Sequence, residues 1–447
     1  MNIIDKIMLS YLLSKYVKGL CPMLSEEKKS LIKHKATHNL NRTLTVIRWT
    51  IFASITGGAV GLFSTAFGLA MNWATSTRLS HPWLLCFLPV GALIIIPLYK
   101  LVLRAKDGGT NVVLSAIHSG VRLPFRMAPL IFVSTVLTHL VGGSAGREGA
   151  ALQMGGAIGN GIGRLFRFSE TDKKTMIMVG MSAAFSALFG TPMAAAIFSM
   201  EVVSVGIMHY AALVPCVISS LIARYIASYF GLSPMHFVID SIPKFNISTA
   251  LLISVFAICC GLISIIFCMC LHIFEDKYSK KISNPYLRAL IGGTSVLLLT
   301  IIVGDQTYNG TGAAVIDSCF TGARISLGVF LVKIIFTTLT LSSGYKGGEI
   351  VPTLFIGATF GAAFGQLIGF SPVLCAAVGM GALFCGVTNC PISSLLICFE
   401  IFGYDAMPYF LLSVAFSYWV SGYYGLYKSQ KIVYSKYKSN YIDKTVQ

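Results

Sequence analysis

Eight stretches of the chain, roughly 46–75, 82–103, 125–143, 207–230, 247–273, 286–304, 325–343 and 405–424, are apolar over about the 20 residues a helix needs to cross a bilayer. So many such stretches leave no water-soluble fold open to the chain. Composition closes the point, because charged residues make up only 11% of the sequence, whereas soluble domains carry about 25%. The sequence therefore specifies an all-α integral membrane protein.

Two regions break the pattern. Between 146 and 203, and again between 347 and 402, glycine, proline and polar residues cut the apolar runs into pieces too short to span. Irregular backbone at membrane depth is tolerated only where it is buried in protein or lines a polar path, so these regions predict broken or half-crossing helices.

The two regions also match each other. Gly155, Gly159 and Gly163 recur as Gly357, Gly361 and Gly365, displaced by 202, and the pair Pro192 and Glu201 recurs as Pro391 and Glu400, displaced by 199. The chain is an internal duplication. We divide it into an amphipathic N-terminal segment (1–45), a first membrane repeat (46–232), a linker (233–246), a second membrane repeat (247–427) and a short basic tail (428–447). Glycine- and proline-interrupted segments at matching places in two repeats point to a transport site at the repeat interface.

The net charge of +17 sits largely at the ends: residues 1–42 and those after Val420 together supply +9 of it. By the positive-inside rule both termini are expected in the cytoplasm, with an even number of crossings. No separate basic domain remains for nucleic acid. The opening segment, with Ile3, Ile4, Ile7, Met8, Tyr11 and Leu12 at helical spacing and no cleavage site, is expected to lie on the cytoplasmic face of the cell membrane. The twelve cysteines lack CxxC pairs or histidine partners at zinc spacing. No metal or cofactor is expected.

Glycines in Gly142-Gly-Ser-Ala-Gly-Arg-Glu-Gly149 leave backbone N–H groups unshielded, and a helix starting there adds the positive end of its dipole. Glu148 sits in that field, where a carboxylate can occupy an anion site, be displaced by the anion and take up a proton. The matching segment, Gly344-Tyr-Lys-Gly-Gly-Glu-Ile-Val-Pro352, offers the N–H groups of Ile350 and Val351, while Glu349 and Lys346 read as interfacial. A third loop, Lys106-Asp-Gly-Gly-Thr-Asn111, offers N–H and hydroxyl donors from Gly108, Gly109 and Thr110. Glu201 and Glu400 end equivalent helices, a duplicated position that suits tying helix ends. His139, His209 and Lys333 lie in or beside apolar runs and read as satisfied or snorkelling side chains. No HExxH motif is present, and no enzymatic activity is expected.

These residues resemble the CLC family of chloride channels and anion/proton exchangers, over nearly the whole chain. Gly146-Arg-Glu-Gly-Ala150 resembles the family's GREGP motif, Gly348-Glu-Ile-Val-Pro352 its GxFxP motif, Asp107-Gly-Gly-Thr-Asn111 its GSGIP motif, and Gly425-Leu-Tyr-Lys-Ser429 the segment that supplies a pore tyrosine. The resemblance implies two inverted repeats of broken, tilted helices in a homodimer, each subunit with its own pore. It implies Glu148 as the gate, an anion site from Gly108, Gly109, Thr110, Arg147, Glu148, Gly149, Ile350, Val351 and Tyr427, and transport of small monovalent anions, chloride first among them. Because the chain ends soon after Tyr427, a compact bacterial type without regulatory domains is expected.

Departures from the family pattern bear on the mechanism. Gly108 stands where a serine hydroxyl would meet the anion, Asn111 replaces the loop proline, and Ala150 replaces the proline after GREG. Val202 replaces the internal glutamate that relays protons in many exchangers, which leaves a passive channel and an exchanger both open. The absent serine and glutamate, with the run GYKGGE, also resemble the fluoride-exporting branch, although that branch often has threonine where Val351 stands. Chloride and fluoride are both open.

Overall fold

The computed structural model describes residues 26–103 and 108–447. The amphipathic opening segment and two members of the third loop, Lys106 and Asp107, lie outside the described residues. Among the described residues there are sixteen α-helices in two sets of eight. The first set is α1 (Glu26–Ser80), α2 (Leu88–Leu103), α3 (Thr110–Ser119), α4 (Met127–Leu140), α5 (Glu148–Leu165), α6 (Glu170–Phe189), α7 (Pro192–Glu201) and α8 (Leu213–Tyr229). The second is α9 (Ile247–Lys281), α10 (Pro285–Val303), α11 (Ala313–Phe320), α12 (Val329–Ser342), α13 (Ile350–Ile368), α14 (Pro372–Thr388), α15 (Pro391–Phe402) and α16 (Met407–Val420). Each helix of the first set has its counterpart eight places on, so the duplication extends well beyond the glycine and proline signatures.

Two contacts make the repeats inverted. The N–H of Gly146 donates to the carbonyl of Gly348 and the N–H of Gly348 to the carbonyl of Gly146, both at 2.7 Å, in an antiparallel bridge. A residue that exchanges both bonds with its own repeat counterpart sits on a local twofold axis. The second contact joins α7 and α15, each carrying in its last turn a glutamate that caps the other's start. Glu400 accepts from the N–H groups of Met193 (2.9 Å) and Ala194 (2.8 Å), and Glu201 from those of Ile392 (3.1 Å) and Ser393 (2.8 Å). The free N–H groups that every helix start leaves behind are thereby satisfied inside the protein. The duplicated glutamates do tie helix ends, as their place in the repeat suggested.

The recurring glycines set how close the helices come. A methyl group at Gly155 would collide with the carbonyl oxygen of Gly180 on α6, and one at Gly159 with that of Met176. In the second repeat, Gly357 and Gly361 stand in the same relation to Gly379 and Cys375 of α14. Backbone lies against backbone, the geometry small residues provide in membranes.

Lengths differ from the sequence reading in several places. The runs 125–143, 325–343 and 405–424 hold helices of only 14 residues, α4, α12 and α16, about 21 Å long and short of the ~30 Å hydrocarbon core. Glycine-containing loops follow all three. Conversely α13, inside a region read as interrupted, is a 19-residue helix long and apolar enough to cross, because its glycines sit at helical spacing and do not break it. Finally, α1 runs 55 residues without interruption across position 45, since no proline or glycine separates its polar start from its apolar body.

The tail after Tyr427 folds. Strand β1 (Ser204–Val205), just beyond α7, pairs in parallel with β2 (Lys431–Tyr434), which pairs antiparallel with β3 (Tyr441–Thr445). The buried Gln430 locks the ribbon down, donating from Nε2 to the carbonyls of Val202 (3.0 Å) and Thr388 (2.8 Å).

Candidate functional site

The Gly142–Glu148 and Gly344–Glu349 loops meet at the Gly146–Gly348 bridge and are strapped reciprocally. The N–H of Ser144 donates to Thr340 Oγ1 on α12, and the N–H of Lys346 to Thr138 Oγ1 on α4, both at 3.1 Å. Each loop is thus held by the helix preceding the other. Glycine is required at the crossing: a methyl at Gly348 would lie 2.5 Å from the N of Gly149, and one at Gly146 3.0 Å from the Gly348 oxygen. The first turns of α5 and α13 start from this crossing, with their N-terminal dipole ends beside it.

Two cavities lie on either side of these turns. One, of about 150 Å³, is lined by Gly108, Gly109, Thr110, Thr135, Glu349 and Tyr427 among others; it lies toward the tail. The opposite cavity, of about 350 Å³, is lined by Asn72, Thr75, Arg147, Glu148, Thr311 and Val351 among others. The structure therefore divides the sequence-selected residues: Gly108, Gly109, Thr110 and Tyr427 on one side, Arg147, Glu148 and Val351 on the other. Gly149 and Ile350 line neither cavity and are buried in the wall between them.

Glu148, the first residue of α5, is 1% exposed. Its carboxylate folds back to accept from the N–H of Arg147 (3.1 Å) and from Arg147 Nε (3.3 Å). The rest of the Arg147 guanidinium is held by Asn72 Oδ1 (3.3 Å) and the Leu188 carbonyl (3.5 Å). The carboxylate thus occupies a helix N-terminus, a place suited to an anion.

Glu349 is the residue that sequence reasoning passed over. It reads as interfacial in the sequence, yet it is half-buried and lines the tail-side cavity, and its buried Oε2 has no hydrogen-bond partner among the described residues. A methyl at Gly149 would stand 3.2 Å from that oxygen, which places the carboxylate against the first turn of α5. The signal in the sequence was its setting: a glutamate in a glycine loop of the same design as that of Glu148. The hydroxyls of Tyr427, Thr135 and Ser342, which also line this cavity, are likewise buried and unpartnered. Thr110 differs, because its hydroxyl donates to the Gly149 carbonyl (3.5 Å) and accepts from Gln153 Nε2 (3.2 Å).

Tyr427 is positioned from three sides. The N–H of Leu426 donates to the Val387 carbonyl at 2.8 Å, Lys428 reaches Glu275 (3.3 Å) and Asp276 (3.0 Å), and the N–H of Ser429 donates to Asn111 Oδ1 at 2.9 Å. Asn111, which stands where the family carries proline, ties the first repeat's loop to the tyrosine segment. His139 has its ring nitrogens 2.9 Å from the carbonyls of Thr135 and Ala145, a satisfied histidine of α4. No group of three metal-ligating side chains occurs among the described residues.

Comparison with known proteins agrees with this architecture. The family model described as voltage gated chloride channel matches residues 91–422. The chain is 32% identical over 399 residues to a chloride/fluoride channel protein of Pseudomonas syringae pv. tomato, covering 88% of each. It is 27% identical over 418 residues to the H(+)/Cl(-) exchange transporter ClcA of Vibrio campbellii, covering 85% of this chain and 89% of that one. The solved structure of a CLC-type fluoride/proton antiporter superimposes with a TM-score of 0.83 at 31% identity, over 86% of this chain and 98% of the other. The chain belongs to the CLC family of voltage-gated chloride channels and related anion transporters.

Proposed function

We propose that this protein exchanges fluoride for protons across the cell membrane as a homodimer, with both termini in the cytoplasm. The tail-side cavity is then the inner vestibule and the opposite one the outer. The observation that carries the proposal is the placement of two carboxylates, those of the buried Glu148 and the half-buried Glu349, against the first turn of α5 but facing opposite cavities.

A carboxylate at a helix N-terminus is held ionised by the N–H groups around it. An arriving anion competes for those donors, displaces the carboxylate and favours its protonation. Glu148 can take a proton from the outer cavity in this way, and Glu349, one carboxyl oxygen already without a partner, can release one to the inner cavity. The pair substitutes for the internal glutamate that Val202 replaces. Gly149 lets the Glu349 carboxylate approach the helix, and Arg147 orients that of Glu148.

Fluoride suits the inner vestibule because it is the smallest halide and accepts hydrogen bonds most strongly. This vestibule is small and offers the unpartnered hydroxyls of Tyr427, Thr135 and Ser342. The name of the Pseudomonas relative and the antiporter activity of the superimposed structure support the same anion. Chloride/proton exchange is the second reading, favoured by the ClcA relative. The test is anion efflux from proteoliposomes loaded with fluoride or chloride, with external pH recorded. Fluoride efflux coupled to proton uptake supports the proposal; chloride moving faster than fluoride overturns the choice of anion.

A further inference from the structure

Two cations are buried beneath the rim of the outer cavity. Lys333 of α12 is 0% exposed and Arg78 at the end of α1 is 3% exposed, and neither meets a carboxylate among the described residues. Lys333 donates to the carbonyls of Tyr308 (3.0 Å) and Gly310 (2.9 Å) and lies 5.1 Å from the Phe355 ring centroid. Arg78 donates from Nη1 to Gln306 Oε1 at 3.0 Å, while its Nε has no acceptor among the described residues. Both grip one loop, between α10 and α11. A methyl at Gly310 would stand 3.1 Å from Arg78 Nη2 and one at Gly312 3.5 Å from Lys333 Nζ. From this loop Thr311, with Ala313 of α11, reaches the outer cavity that Arg147 and Glu148 line.

Hydrogen bonds to neutral carbonyls can be made by an uncharged amide. Burying an ammonium and a guanidinium without a counter-charge is costly, so their charge calls for a use that the loop contacts do not supply. Buried charge acts through a low dielectric and is poorly screened by salt. A fixed positive potential at the mouth of a cleft raises the local concentration of anions and their rate of entry. We infer that Arg78 and Lys333 together supply the potential that draws small monovalent anions into the outer cavity and holds them opposite Glu148. The inference rests on the anion-transport reading. It adds two specificity-determining residues that do not themselves touch the anion: they select by sign of charge, not by size.

The test is the external anion concentration giving half-maximal uptake into proteoliposomes, measured for Lys333→Gln, Arg78→Gln and Lys333→Arg. Each Gln variant keeps an N–H donor and removes the charge, and is expected to raise that concentration on the order of 5–20-fold. Lys333→Arg is expected within about twofold of the unaltered protein, because it keeps the charge. The contrast is expected to persist in about 0.3 M of an impermeant salt, which screens surface charge. Half-saturation unchanged in both Gln variants, equal impairment in Lys333→Gln and Lys333→Arg, or failure of both Gln variants to fold would assign these cations to holding the loop and overturn the inference. An unaltered protein that moves no anion would instead sink the transport reading itself, independently of any comparison among variants.

Discussion

Gly146 and Gly348, 202 residues apart, exchange two backbone hydrogen bonds of 2.7 Å and so mark the axis about which the two repeats are inverted. Everything assigned to transport is arranged around that pair. Gly348→Ala would place a methyl 2.5 Å from the backbone nitrogen of Gly149, with no flexible side chain to give way. The expected cost is about 2 kcal/mol or more, read as a lowered Tm or loss of the monodisperse species in detergent. Gly58→Ala is the control, because nothing lies within 4 Å of the added methyl, and its Tm is expected to hold or rise slightly.

The cross-capping glutamates differ in burden. Glu201 is buried and accepts from two N–H groups and the Ser393 hydroxyl, while Glu400 is half-buried and accepts from two N–H groups. Glu201→Ala is therefore expected to cost about 2–3 kcal/mol and Glu400→Ala about 1 kcal/mol, both measured as Tm shifts. In the folded fraction of each, the ratio of protons to anions moved is expected to be unaltered. A changed ratio in Glu201→Gln would move that residue from helix capping into the proton path.

Tyr427→Phe removes a hydroxyl that has no partner among the described residues, so its Tm is expected within about a degree of the unaltered protein. Anion flux should fall several-fold, since a hydrogen bond to a charged group contributes about 1.5–3 kcal/mol. A large stability loss with unchanged flux would make the hydroxyl structural.

Much of this site was legible in the sequence because its parts are short-range: glycine loops before helices, a proline in a first turn, a glutamate beside an arginine. The repeat was also legible, and the structure extends the correspondence, though not one fixed displacement, to every helix pair. What stayed hidden depends on contacts between the repeats. Glu349 read as interfacial because nothing local shows that its carboxylate meets the start of α5, a helix from the other repeat. The tail read as a basic extension because β2 gains its partner β1 from more than 200 residues earlier.

The folded tail also carries a pH signature. Lys436 is held by Asn389 Oδ1, the Tyr418 carbonyl and Ser421 Oγ, and burial lowers its pKa from the usual 10.5 to about 8. The folded protein binds this proton less tightly than the unfolded chain, so stability rises as pH increases from about 8 to above 10 and gains nothing below that window. The gain should be roughly 1–3 kcal/mol. Tm of the unaltered protein is expected to rise between pH 7 and 9.5 relative to Lys436→Met, in which this contribution is absent. Parallel Tm curves for the two would contradict the assignment.

The most direct measurement of the central claim is simultaneous recording of anion and proton movement in proteoliposomes carrying Glu148→Gln or Glu148→Ala. Glu148 is the carboxylate that faces the outer cavity from the first turn of α5, so coupled proton movement is expected to vanish while anion flux persists. Proton flux unchanged in either variant would contradict its role as the gate.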